Sequence, residues 1–278
     1  LQNFPFASQN HEFYALLMPL AFESFSFDEY DLVISVTSEA AKGIITKPGT
    51  VHICYCLTPT RYLWSGYDEY FKNSFLRFIS KPIISYLRFW DKIAYQRPDA
   101  LIAISKEVQK RIKKYYNRDS SIIYPPLTFD GASRLTHAGK YFLIVSRLVP
   151  YKKIDLAVKV FNKLGLPLKI VGIGVEEDRL KRMAKSNVEL LGYLTDEELV
   201  EYYKGCQALI FPQEEDFGLT ILEAQSFGKP AIALKKGGAL DIITDGKTGV
   251  FFEVQSKKSL EDAILKFQKI NFNPEDSI

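Results

Sequence analysis

The second half of this sequence, from Tyr141 onward, alternates short apolar runs with stretches that have the period of an amphipathic helix. The apolar runs are YFLIVS (141–146), LKIVG (168–172), VELLG (188–192), ALIFP (208–212) and PAIAL (230–234). Each has the length of a strand and is rich in Val, Ile and Leu. Because strands that alternate with helices indicate βαβ units, the pattern predicts a parallel sheet with helices on both faces.

The helical stretches carry boundary signals of their own. One helix is predicted from about Lys153 to Leu164, and a second extends through Arg182. A third begins after Thr195, and Glu198 three positions later completes the pattern of a capping box. The sequence therefore predicts a Rossmann-like half over about residues 138–270.

The first half repeats the strand pattern less regularly. Its strand candidates are DLVISV (31–36), VHICYC (51–56), ALIAI (100–104) and SIIYP (121–125). Ser105 is placed to cap the next helix, and a long helical stretch over 68–95 is predicted to break at Pro82. The polar segment TFDGASRLTHAG (128–139) has the composition of a linker. We therefore expect an α/β fold of two lobes, residues 1–127 and 140–278.

Composition excludes several classes of protein. The 278 residues suffice for two domains, and a net charge of +3 gives no reason to expect a nucleic-acid partner. Three cysteines are too few for a disulfide framework and indicate a reducing compartment. With no apolar run long enough to span a bilayer and no signal-peptide pattern, the sequence predicts a cytoplasmic protein.

The segment QEEDFG follows one predicted strand and precedes the helix LTILEAQSF. In open α/β sheets, ligands bind outside the carboxyl ends of the strands. Backbone N–H groups of Gly218 and Leu219 at the helix start, together with the helix dipole, form a pocket for an anion. Glu215 precedes this pocket and Glu223 lies about one turn beyond it, so their carboxylates can accept hydrogen bonds from sugar or ribose hydroxyls.

Two basic side chains lie in the loop that follows the first predicted strand of this half. Arg147 and Lys152, in SRLVPYKK, can neutralise a diphosphate without a metal ion. Three further loops, GIG (172–174), LGY (191–193) and KKGG (235–238), follow neighbouring strands. Together these loops predict a site for a nucleoside diphosphate sugar.

Four segments carry a specific resemblance: SRLVPYKKIDLAV (146–158), VGIGVEEDRL (171–180), VELLGYLTDEEL (188–199) and the continuous run over 208–252. They resemble the C-terminal lobe of family 4 retaining glycosyltransferases of the GT-B architecture. Upstream, the segments over 30–46, 52–64 and 115–127 resemble the acceptor lobe of bacterial mannosyltransferases that build O-antigen and exopolysaccharide chains from GDP-mannose. The resemblance implies two Rossmann-like lobes facing a cleft, with an acceptor-side lobe at 1–127 and a donor-binding lobe at 140–278.

The resemblance also implies roles for individual residues. Arg147 and Lys152 would contact the donor diphosphate, Glu215 the transferred sugar, and Glu223 the ribose. The amides of Phe217, Gly218 and Leu219 would hold sugar and phosphate, with Tyr193 and Gly172 near the nucleobase. Transfer would retain the anomeric configuration, and the departing phosphate would take the acceptor proton. No metal or cofactor is then expected, and the acceptor would be lipid-linked or a polysaccharide.

Some positions depart from the family pattern. Leu57 stands where the mannosyltransferases often have a histidine before Thr-Pro, and Asp241 replaces a commoner Glu. Both ends also look short of the family's full length, so the resemblance implies a fragment with an incomplete N-terminal lobe.

Other readings of the same residues stay open. The acidic run Glu214 to Asp216 also fits a solvated loop or a metal site, Tyr193 also fits plain packing, and Arg61 fits either an acceptor-phosphate contact or a surface cation. The buried-strand residues His52, Cys54 and Cys56 fit a zinc site less well than ordinary packing.

The stretch over residues 70–92 mixes aromatic and branched apolar residues with Lys and Arg. This composition fits peripheral contact with an anionic membrane, where lipid-linked acceptors reside, and also fits a core-packed helix with snorkelling cations. Two other functions remain open as well: a sugar-nucleotide epimerase of the same fold, and a non-catalytic nucleotide-sugar-binding module.

Overall fold

A computed structural model describes residues 14–71, 73–127 and 139–277 of the chain. The chain divides into two compact units, Leu1–Tyr124 and Pro125–Ile278. The predicted linker lies outside the described residues except for Gly139, so the proposed lobe boundaries at 127 and 140 stay a prediction. Each unit is described by itself.

In the first unit, the described residues form one sheet of four parallel strands in the order β1-β2-β3-β4. The strands are β1 (Leu32–Thr37), β2 (Val51–Cys56), β3 (Ala100–Ala103) and β4 (Ser121–Ile122), and the helices are α1 (Met18–Glu23), α2 (Tyr67–Tyr70), α3 (Ser74–Ala94) and α4 (Lys106–Tyr116). All four predicted strands are confirmed, although β4 is shorter than its apolar run. The Ser105 cap is also confirmed, since its side chain accepts a hydrogen bond from the Val108 N–H.

Helix α3 corrects one prediction. It continues through Pro82, and the helical stretch is instead interrupted between Tyr70 and Ser74. Proline removes one backbone donor from a helix and crowds the preceding turn. The missing N–H would have paired with the carbonyl of Phe78, and both Phe78 and Pro82 are exposed, so water can reach that carbonyl.

A buried ion pair anchors α3 to the rest of the first unit. Lys42 Nζ lies 2.6 Å from Asp91 Oδ1, and the two side chains are 0% and 1% exposed. Thr60, Trp64 and Tyr116 each donate a hydrogen bond to the Asp91 carboxylate. The carboxylate is therefore compensated by a full charge and three hydrogen bonds, as burial of an ion requires.

In the second unit, residues 139–277 form one sheet of six parallel strands in the order β10-β9-β8-β5-β6-β7. The strands are β5 (Tyr141–Val145), β6 (Leu168–Val171), β7 (Val188–Gly192), β8 (Cys206–Phe211), β9 (Ala231–Leu234) and β10 (Gly249–Phe252). The helices are α5 (Ile154–Leu164), α6 (Glu177–Met183), α7 (Asp196–Gly205), α8 (Leu219–Ser226), α9 (Ala239–Ile242) and α10 (Lys257–Phe267). The predicted parallel α/β organisation is confirmed.

Both faces of this sheet are apolar because side chains alternate along each strand. Phe142 and Ile144 of β5 belong to one buried cluster, whereas Leu143 belongs to a second cluster on the other face. A sheet that is buried on both sides needs helices on both sides. The capping box is confirmed, with Thr195 and Glu198 each accepting a hydrogen bond from the other's backbone N–H.

A search of the described helices for membrane spans finds none with sufficient length and hydropathy to cross a bilayer.

Candidate functional site

The strand order of the second unit creates a switch point between β5 and β8. These strands are hydrogen-bonded neighbours, although β6, β7 and three helices lie between them in the sequence. From β5 the chain builds outward to β7 on one side, and then returns to place β8 on the other. The loops that leave the two strands therefore start at the carboxyl edge of the sheet, which is where α/β sheets bind ligands.

Lys152 and Glu215 join these two loops directly. Lys152 ends a short 3-10 turn, Pro150–Lys152, after β5, and its Nζ forms an ion pair with Glu215 Oε1 in the loop after β8. The two side chains are 11% and 22% exposed. Gln213 Nε2 also lies 3.5 Å from Glu215 Oε1. A cation and a carboxylate that were predicted from separate loops are therefore brought together.

Arg147 lies in the same loop as Lys152 but has a different environment. Its side chain is exposed, and Nη2 donates a hydrogen bond of 2.8 Å to the Tyr151 hydroxyl. The tyrosine holds the guanidinium at the surface of the loop. An exposed, oriented guanidinium is suited to a phosphate that arrives from solvent.

The anion pocket was predicted at the start of α8. Gly218 precedes the helix with a φ of +108°, a conformation that favours glycine. Phe217 beside it is buried, whereas Leu219, the first helical residue, is 39% exposed. The first N–H groups of a helix have no acceptor within the helix, and the dipole adds positive potential there. The geometry therefore favours an anion beside Leu219.

Glu223 lies one turn further along α8 and is 9% exposed. The Tyr203 hydroxyl, on α7, donates a hydrogen bond of 2.6 Å to its Oε2 atom. Burial raises the pKa of Glu223, and the hydrogen bond from Tyr203 partly opposes that shift. The sequence did not predict this partner, because nothing in the pattern of α7 distinguishes Tyr203 from an ordinary core residue.

Glycines let the loops after β6 and β9 approach the loops after β5 and β8. A side chain at Gly172, where φ is +134°, would place its Cβ 1.9 Å from the Ser146 carbonyl oxygen. On the other side, a Cβ at Gly237 would lie 2.2 Å from the Glu215 carbonyl oxygen, and the Gly238 N–H donates to that oxygen. The loops after β5, β6, β8 and β9 therefore pack against one another.

Tyr193 follows β7, next to Gly192, whose carbonyl accepts a hydrogen bond from the Gly172 N–H. Its side chain is 74% exposed. This exposure disagrees with plain packing in a core and leaves the ring accessible. Its predicted place near a nucleobase stays a prediction.

Arg61 and Leu57 belong to the first unit. The Arg61 carbonyl accepts hydrogen bonds from the Trp64 and Gly66 N–H groups, which fixes the backbone of a turn after β2. Its side chain is partly exposed, and that of Leu57 is 36% exposed. The acceptor-side role predicted for Arg61 stays a prediction.

The possible metal ligands of the sequence have other surroundings. His52, Cys54 and Cys56 share the buried face of β2. Ser35 Oγ lies 2.9 Å from His52 Nε2, and the Tyr95 hydroxyl lies 2.9 Å from Cys56 Sγ. In the described ranges, no group of three or more His, Cys, Asp or Glu side chains is arranged to hold a metal ion.

Comparisons with known proteins identify the family of this chain and solved structures with a similar fold. The family model described as "Glycosyl transferases group 1" matches residues 129–276. An uncharacterized glycosyltransferase of Methanocaldococcus jannaschii is 26% identical over 188 residues, which are 64% of this chain and 52% of the relative. The O-antigen chain mannosyltransferase C of Escherichia coli is 30% identical over 139 residues, which are 47% of this chain and 38% of that protein. This chain thus spans about half of the first relative and less of the second.

Two solved structures show the same fold at low sequence identity. Anabaena HepE in complex with UDP and glucose is 19% identical, with a TM-score of 0.65 over 99% of this chain and 76% of the other. TarM of S. aureus is 18% identical, with a TM-score of 0.67 over 94% of this chain and 52% of the other. These likenesses confirm the predicted GT-B fold class. Because the family model matches more than half of its residues, the chain belongs to the glycosyl transferases group 1 family.

Proposed function

We propose that the second unit binds a nucleoside diphosphate sugar and that the protein transfers this sugar to an acceptor. The observation that carries the proposal is the ion pair between Lys152 and Glu215 across the switch point. It puts a cation for phosphate and a carboxylate for hydroxyl groups beside the start of α8, where an anion is favoured.

The charges suit a diphosphate. Arg147 supplies a guanidinium at the surface and Lys152 an ammonium that is nearly buried, and the N-terminus of α8 adds positive potential. Glu215 holds Lys152 in position before any ligand arrives, so less side-chain freedom remains to be lost on binding. An ammonium has three N–H donors, so Lys152 can contact phosphate while it keeps Glu215 as a partner.

The two acids would take different parts of the donor. Glu215 would accept hydrogen bonds from the sugar hydroxyls, and Glu223 from the ribose. The amides of Phe217, Gly218 and Leu219 would hold the phosphate and sugar, with Gly172 and Tyr193 nearer the base. Catalysis would depend on stabilising the charge that develops on the departing diphosphate, so neither a metal ion nor a cofactor is included in the proposal.

The finer assignment is mannose from GDP-mannose, transferred with retention to a lipid-linked or saccharide acceptor. It is supported by the likeness to the O-antigen chain mannosyltransferase of Escherichia coli. The Anabaena structure contains UDP and glucose, so a uridine donor is the alternative that an experiment must separate. A cytoplasmic location and peripheral membrane contact through residues 70–92 belong to the same proposal.

Calorimetric titration of the chain with GDP, UDP, GDP-mannose and UDP-glucose tests this assignment. We expect the guanosine ligands to bind more tightly. The variant Glu223→Ala should weaken nucleotide and nucleotide sugar alike, whereas Glu215→Gln should weaken the nucleotide sugar about tenfold more than the nucleotide, since each lost hydrogen bond to a charged group costs about 1.5 kcal/mol.

Two results would contradict the proposal. Absence of binding by all four ligands would reject a donor site in this unit. Equal effects of the two substitutions on nucleotide and on nucleotide sugar would reject the division of roles between Glu215 and Glu223.

A further inference from the structure

Helix α3 of the first unit has apolar side chains on two opposite faces. The inner face is formed by Ile84, Leu87 and Ala94, which are 5%, 3% and 0% exposed, together with Asp91 in its buried ion pair. These positions recur every three or four residues, as expected for one side of a helix. The inner face accounts for the packing of α3 within its own unit.

The outer face carries seven large apolar side chains that are 41–70% exposed. They are Phe75, Phe78, Ile79, Ile83, Tyr86, Phe89 and Ile93. If a fully exposed aromatic side chain presents about 200 Å², the exposed fractions of the four aromatic side chains alone amount to roughly 500 Å², and the three isoleucines add to that area. The largest apolar patch of a typical monomer is roughly 300–600 Å². We call these seven residues the outer stripe.

The cations of α3 lie along one edge of the outer stripe. Since each residue turns a helix by about 100°, Arg77, Lys81, Arg88 and Lys92 all fall between the inner face and the stripe. Arg77 is paired with Asp68, and Arg88 donates to a backbone carbonyl, whereas Lys81 and Lys92 are exposed. The acid of the helix itself, Asp91, is buried, so its charge does not reach this edge.

We infer that the outer stripe lies on the surface of an anionic lipid bilayer. The phenylalanine rings would enter the boundary between headgroups and acyl chains, and Lys81 and Lys92 would contact lipid phosphates. An apolar face beside a basic edge is the arrangement that binds a helix parallel to such a surface. The inference extends the proposed function, whose lipid-linked acceptor requires contact with a membrane.

Charge also decides between a membrane and a second copy of the chain. A symmetric pair would bring the same patch of both copies together. Two α3 helices would then face each other with Lys81 and Lys92 exposed on each and with Asp91 buried, and these like charges would repel. Anionic headgroups compensate the same charges, so the lipid surface fits the stripe better.

Co-sedimentation with vesicles tests the inference without any sugar substrate. Membrane binding can therefore be rejected while donor binding is confirmed, and the reverse is also possible. The chain should bind vesicles of phosphatidylcholine mixed with phosphatidylglycerol at least about tenfold more tightly than phosphatidylcholine alone. The variant Phe75→Ser/Phe78→Ser/Phe89→Ser should lose about tenfold or more of this affinity. Lys81→Glu/Lys92→Glu should lose a similar factor, because each cation near an anionic surface contributes about fivefold.

Two control variants make the same kinds of substitution at exposed positions outside α3. Ile123→Ser/Val254→Ser/Leu265→Ser removes exposed apolar side chains elsewhere, and Lys110→Glu/Lys114→Glu reverses exposed charges on α4. Both controls should bind the mixed vesicles within about twofold of the parent chain, and all variants should keep the parent's thermal midpoint.

Two outcomes would overturn the inference. One is equal vesicle binding by the parent chain and the triple Phe→Ser variant. The other is a parent chain that dimerises in sedimentation velocity without binding vesicles, together with a triple variant that is monomeric, which would assign the outer stripe to self-association.

Discussion

Replacing Lys152 with Met should lower the free energy of unfolding of the second unit by about 2 kcal/mol. The substitution keeps most of the aliphatic stem but removes the charge that compensates Glu215. Exposed ion pairs contribute about 0–1 kcal/mol, whereas breaking a buried pair costs about 3–5 kcal/mol. Because Lys152 and Glu215 are 11% and 22% exposed, we expect a value between these limits.

Urea denaturation and thermal melting measure this change. In a unit of this size, 1 kcal/mol corresponds to roughly 2–4 °C in the midpoint, so Lys152→Met should melt about 4–8 °C lower. Lys159→Met is the matched control, because Lys159 pairs with Asp155 one turn away on α5 but is 37% exposed. Its cost should stay below about 0.5 kcal/mol.

The double variant separates charge pairing from other effects. Glu215→Gln alone leaves Lys152 without its carboxylate, whereas Lys152→Met/Glu215→Gln removes both charges. The double variant should therefore be more stable than the sum of the single losses predicts, by about 1 kcal/mol or more. Its affinity for a nucleoside diphosphate should still fall about 30-fold, because the phosphate has lost its ammonium.

Either of two results would contradict a role of Lys152 in both stability and phosphate binding. Strictly additive losses would show that the pair is not coupled in solution. A double variant that binds nucleoside diphosphate as tightly as the parent chain would show that Lys152 serves the fold alone.

Three further predictions concern other parts of the molecule. Asp91→Asn should destabilise the first unit by about 3–5 kcal/mol, measured by urea unfolding, because it leaves buried Lys42 without a charge partner; a loss below 1 kcal/mol would be inconsistent with that environment. Gly172→Ala should cost about 2 kcal/mol or more from its backbone clash, whereas Gly165→Ala, which meets nothing within 4 Å at a φ of +69°, should cost about 1 kcal/mol; equal midpoints would contradict this difference. The folded state raises the pKa of Glu223, so the stability contributed by its neutral form is present below about pH 4.3 and is lost as pH rises through the pKa of the folded state. The free energy of unfolding of Glu223→Gln should therefore increase relative to that of the parent chain as pH rises above about 4.3. A difference that stays constant with pH in urea titrations would oppose this assignment.

The fold of the second unit was largely predictable because local signals and burial agree there. VELLG was predicted as a strand and forms β7 with the same bounds, and Thr195 and Glu198 begin α7 as their spacing indicates. The interruption before α3 was not predictable from Pro82. A proline signal reports the local cost of a missing hydrogen bond, whereas the packing of a long inner face determines whether the helix continues.

The positions of the candidate site residues were predictable as far as strand ends determine them. Arg147, Lys152 and Glu215 were placed in loops at the carboxyl edge of a sheet, and the loops of Lys152 and Glu215 do meet. The bond from Tyr203 to Glu223 was not predictable, because it depends on how α7 packs against α8. The period of a helix gives the face on which a side chain lies, but not the atom that it contacts.

The position of β8 has a consequence for the growing chain on a ribosome. Within the second unit, strands β5, β6 and β7 are synthesised first and can pair in that order, but the other edge of β5 has no neighbour until β8 has been synthesised. Leu143, fully buried in the finished sheet, then lies in a strand whose second edge is open, and such edges recruit other chains. The loop that carries Glu215 follows β8 directly, so the arrival of the strand that closes this edge also delivers the partner of Lys152. A substitution that slows the docking of β8 therefore prolongs the period in which the nascent unit can aggregate.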